Sequence, residues 1–136
     1  MSEQEIPNWV ERRWRGEKIL AESKLGLWRE ICDALDASAK SFNNRYKGTS
    51  EVTRIDGHLV RIVLPTPNRV QIDIAFNDLA CSVAAALSYD TPKLHFRNFK
   101  IAADHVSAFI ADEHGDRLTP DQVSERILSP SFFAQG

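Results

Sequence analysis

Four histidines, two cysteines and a run of arginines among tryptophans are the residues of this chain with chemistry to offer. His114 stands between Asp112 and Asp116, and an imidazole with two carboxylates is a set that can hold a divalent cation. The segment lacks the periodic oxygen ligands of a calcium loop, and a polar hairpin turn accounts for it equally simply. Cys81, His95 and a nearby acid would form a nucleophilic set if the thiol were made acidic. Against that, a free cysteine among small apolar neighbours reads as a buried hydrophobe, and Cys32 borders an apolar helical stripe. His58 reads as a turn residue and His105, beside Asp104, as half of a surface pair.

Arg12, Arg13, Arg15 and Lys18, interleaved with Trp9 and Trp14, offer cations for phosphates and rings for stacking bases. Glu3, Glu5 and Glu11 offset the three arginines, so residues 1–16 carry no net charge. Lys40, Arg45, Lys47, Arg54 and Arg61 form a second basic group. The two could join only if the intervening helix bent, because its ends lie roughly 40 Å apart at 1.5 Å per residue. There is no glycine-rich phosphate loop, nucleophile elbow, histidine pair around a glutamate or paired-cysteine motif. Neither a cofactor nor a bound metal is expected.

The elements that must position these residues fit one domain, 1–136, of the α+β class. At 136 residues and 15.4 kDa the chain is long enough for a real core, and its 43% hydrophobic and 26% charged composition is that of a soluble globular protein. A formal charge of -2 supplies no global attraction to nucleic acid or an anionic membrane. Neither a secretory leader nor a membrane-length apolar run is seen, and two distant cysteines make no disulfide framework, so a cytoplasmic location is expected.

Residues 1–16 read as an N-terminal extension containing a short helix that ends near Gly16. Residues 17–47 read as one long helix, with Leu20, Leu27, Trp28, Ile31, Leu35, Phe42 and Tyr46 at helical spacing and Gly48 as its cap. Residues 50–111 read as an antiparallel meander of about five strands, forming a second layer beneath that helix. Its clearest member is 69–76, where Val70, Ile72, Ile74 and Phe76 alternate with polar residues. Asp56-Gly57 predicts a two-residue hairpin turn with positive φ at both positions. Residues 79–89 satisfy both a strand and an alanine-rich helix; the strand is preferred because it completes a simple meander, with its Ala/Ser face under the long helix. An apolar phase change at Asn98 predicts a bulge or a strand end. Thr119-Pro120-Asp121-Gln122 predicts a capping box opening a helix over 119–129, which Pro130 stops.

Three functions follow from this layout. The preferred one is a protein-interaction or assembly module without catalytic activity. Trp9, Val10, Arg13 and Trp14 would form its contact surface in a two-fold homodimer or against another protein, because aromatics and arginine anchor interfaces. A small-ligand domain or enzyme, with a pocket lined by Phe76, Tyr89, Phe96 and Phe99, is the second. Weak nucleic-acid binding through the N-terminal Trp/Arg segment is the third.

Overall fold

The computed structural model describes residues 8–47, 49–64, 70–88 and 94–133, with backbone alone at 87–88 and 94–96. The expected turns at 65–68 and 90–92, the Gly48 cap and Tyr89 lie outside the described residues.

Helix α1 (Trp9–Tyr46) is one unbroken element of 38 residues, and this corrects the division at residue 16. Asn8 caps it by accepting the Glu11 N–H at 2.9 Å, and Lys47 ends it in the left-handed region at φ 52°. Gly16 is not a stop. A β-carbon there would lie 3.4 Å from the carbonyl oxygens of Ala103 and Asp104, so glycine is where the helix settles onto backbone. Gly26, by contrast, has nothing within 4 Å of that position.

The sheet has seven strands rather than about five: β1 (Glu51–Asp56), β2 (Leu59–Leu64), β3 (Val70–Asn77), β4 (Ser82–Ser88), β5 (Leu94–Ala103), β6 (Ala108–Ala111) and β7 (Arg117–Leu118). They lie side by side in chain order, every pair antiparallel. A second helix, α2 (Pro120–Phe132), closes the chain. The core lies between the sheet and the two helices. Trp28, Ile31, Cys32 and Leu35 of α1 and Val123, Ile127 and Leu128 of α2 pack with Ile62, Ile72, Ile74, Val83, Phe99, Ile101 and Ile110.

Several local expectations change once tertiary contacts are present. The first hairpin turns at Gly57-His58, not Asp56-Gly57, with Asp56 opposite Leu59 and a register shift between Arg54 and Asp56. Positive φ is not used there. The Asp56 carboxylate instead accepts the His58 N–H at 2.7 Å, and the Gly57 carbonyl accepts the Trp28 indole N–H at 2.8 Å. The shift moves Val52, rather than Thr53 or Ile55, into partial contact with the core.

Residues 82–88 form the preferred strand, but the preceding 78–81 is a turn that leaves Leu79 97% exposed. Val83 and Ala85 face the core, while Ser82, Ala84 and Ala86 are only half-buried, so the Ala/Ser face does not lie under α1. No bulge occurs at Asn98. The β4–β5 register runs without a shift from Ser88↔Leu94 to Ser82↔Lys100, and Phe99 and Ile101 set the inward phase. The Thr119/Gln122 capping box forms in full, with bonds of 3.1 and 2.8 Å. Pro130 sits inside α2, not after it. One missing N–H in a final turn does not end the helix, and the Phe133 N–H bonds the Ser129 carbonyl beyond it.

Candidate functional site

The N-terminal turns of α1 are the part of the helix that the fold leaves bare. From Asn8 to Arg15 no residue is buried. Trp9 is 67% exposed, Val10 55% and Trp14 56%. Val10 and Trp14 stand four apart and share a helix face. Lys18 continues that face and lies over the Trp14 ring, 5.4 Å from its centroid. Arg13 bridges Glu17 at 3.3 Å on the exposed surface, so it is engaged within the helix. Arg12 is half-buried, and the first buried residue is Gly16, against the turn between β5 and β6.

That turn is held by Asp104. Its carboxylate accepts the Val106 and Ser107 N–H groups at 2.8 Å each and pairs with Arg117 at 3.0 Å. The Ser107 and Val106 N–H groups, reinforced by Arg117, bring its pKa down to about 2. One strand pair away, Lys24 bridges the β3–β4 turn by bonding the Asp78 carboxylate at 2.9 Å and its carbonyl at 3.1 Å. The bond to Asp78 raises the pKa of the Lys24 ammonium.

At the opposite end of α1, Phe42 is packed against α2 while Tyr46 stays 63% exposed. Phe42 stacks on Phe132 with centroids 4.2 Å apart and on Tyr46 at 5.5 Å. Tyr46 meets the Phe133 edge at 5.2 Å. The Ser124 hydroxyl bonds Ser38 Oγ at 2.7 Å, tying α2 to α1. Outside this stack the two helices leave an open groove of about 410 Å³. Phe42, Tyr46, Leu128 and Phe132 line it, with Asp121, Glu125 and Arg45 among its polar residues.

Of the expected pocket residues Phe76, Tyr89, Phe96 and Phe99, only Phe76 and Phe99 have described side chains; they flank Val83 on neighbouring strands within one core cluster. Phe76 and Phe99 are core residues, 4% and 3% exposed. Phe76 is stacked between Trp28 at 5.6 Å and His58 at 5.7 Å. Phe96 is described by its backbone alone, in β5 opposite Ala86. Alternation along 70–76 marks Phe76 as inward, but an inward aromatic in a well-packed layer is core rather than pocket lining.

The chemical sets named from sequence also separate. The Ile101 N–H bonds the Cys81 carbonyl, whereas His95 lies six positions back along β5. At roughly 3.3 Å per residue their backbones are about 20 Å apart. Cys32 is buried, and burial pushes its thiol up to about 11. Asp112, its side chain 1% exposed, accepts N–H bonds from His114 and Asp116 and pairs with Arg126 at 2.9 Å. Burial alone would raise its pKa; the Asp116 N–H, the Arg126 guanidinium and the His114 N–H outweigh it and hold the carboxyl below its usual value. The carboxylate is committed to organising a turn. No group of three or more His, Cys, Asp or Glu among the described residues could hold a metal ion. Of the second basic group, Arg54 is held by Asp33 and Asp36, and Arg61 by Asp73 at 2.9 Å. No helix among the described residues is long and apolar enough to cross a membrane.

No protein-family model matches the chain, and neither a curated protein nor a solved structure is significantly similar to it.

Proposed function

We propose that this protein is an assembly module without catalytic activity of its own, and that it self-associates through the N-terminal turns of α1. The observation that carries the reading is the combined exposure of Trp9, Val10 and Trp14 on a regular, capped helix. Val10 and Trp14 leave a valine and an indole to water on one helix face, and Trp9 exposes a second indole in the first turn; exposed apolar surface of this kind marks contact sites. Each indole covers on the order of 150–250 Å² when buried, so this surface supplies a substantial part of the ~800 Å² per partner in a standard interface. The flanking arginines and Lys18 suit a polar rim around that apolar centre. The core is complete without these residues, which leaves them free to evolve for contact.

Sedimentation equilibrium of the full chain, and of its Trp9→Ala/Trp14→Ala variant, tests the reading. The expected result is a concentration-dependent mass above that of one chain, lost in the variant. A wild-type mass of one chain at every concentration overturns it.

A further inference from the structure

We draw no further inference here: the strongest candidate, the open groove of about 410 Å³ between α1 and α2 with Phe42, Tyr46, Leu128 and Phe132 in its lining, is an unpartnered apolar face, and nothing in the structure shows what covers it.

Discussion

The two ends of α1 are both aromatic, yet the fold treats them in opposite ways. At the C-terminal end Phe42 is stacked by Phe132, and a serine pair locks α2 alongside. At the N-terminal end Trp9 and Trp14 meet no ring among the described residues, and the first buried helix residue is Gly16. Aromatic content alone therefore does not mark a core. What separates the ends is whether a later segment returns to cover them, and α2 returns to one end only. Stability should concentrate where that cover lies, leaving the other end free to serve contact.

The sharpest way to break this comparison is to truncate one ring at each end. Phe42→Ala is expected to cost about 1.5–3 kcal/mol in chemical denaturation, because the half-buried ring loses its packing against three aromatic neighbours. Trp14→Ala, measured at a concentration where the chain is unassociated, is expected to stay within about 0.5 kcal/mol of wild type. Equal costs at the two positions would show that the N-terminal turns belong to the folding unit.

A smaller effect is expected from loosening the cover itself. Thr119→Ala removes the acceptor for the Gln122 N–H and half of the capping box, and should cost about 1 kcal/mol. A loss below about 0.3 kcal/mol would mean that water replaces the cap at little expense.

Between the two ends lies Gly26, open to solvent, where alanine is expected to stabilise the helix by about 0.5–1 kcal/mol. The same change at Gly16 should gain less, since the new methyl would meet two carbonyl oxygens at 3.4 Å. Thermal melts of the two variants rank them, and an equal gain at both would remove Gly16 from the contact that supports the bare end.

The smallest effect concerns the turn under Gly16. Asp104 is held at a pKa of about 2, below its ordinary value, so its ionised form favours the folded state. Its contribution is complete above the unfolded value of ~3.9 and is lost as pH falls through about 2. Wild type and Asp104→Asn should therefore differ in stability at neutral pH and converge across that acid window. A difference that persists unchanged at pH 2 would assign the turn to uncharged hydrogen bonds.

How much of this is legible in the sequence depends on how local the determining contact is. The capping box of α2 is, because all its partners lie within Thr119–Gln122 and bond one another. Strand β3 is too, because strict alternation requires only a sheet with one dry face. The first hairpin is not: its register depends on an indole from α1 reaching the Gly57 carbonyl, 29 residues away in sequence. Gly16 misleads for a related reason, since glycine as a helix stop and glycine as a point of close approach look identical until Ala103 and Asp104 are in place. Strand β7 is two residues long and has no period to detect. At the candidate site, Trp9, Val10 and Trp14 stand out by residue type, but the groove does not, because it exists only after α2 docks on α1.

The strict neighbour-to-neighbour order of the sheet has a kinetic consequence. Each strand pairs with the one made just before it, so the sheet can zip hairpin by hairpin with little loop entropy lost at any step. The Ser38–Ser124 contact spans 86 residues and can close only after both helices lie against the finished meander. Refolding followed at Trp28 should therefore report sheet and helix joining first, with the α1–α2 seam as the last and most readily reopened part of the molecule. Amide exchange along α2 should then outpace exchange along β3.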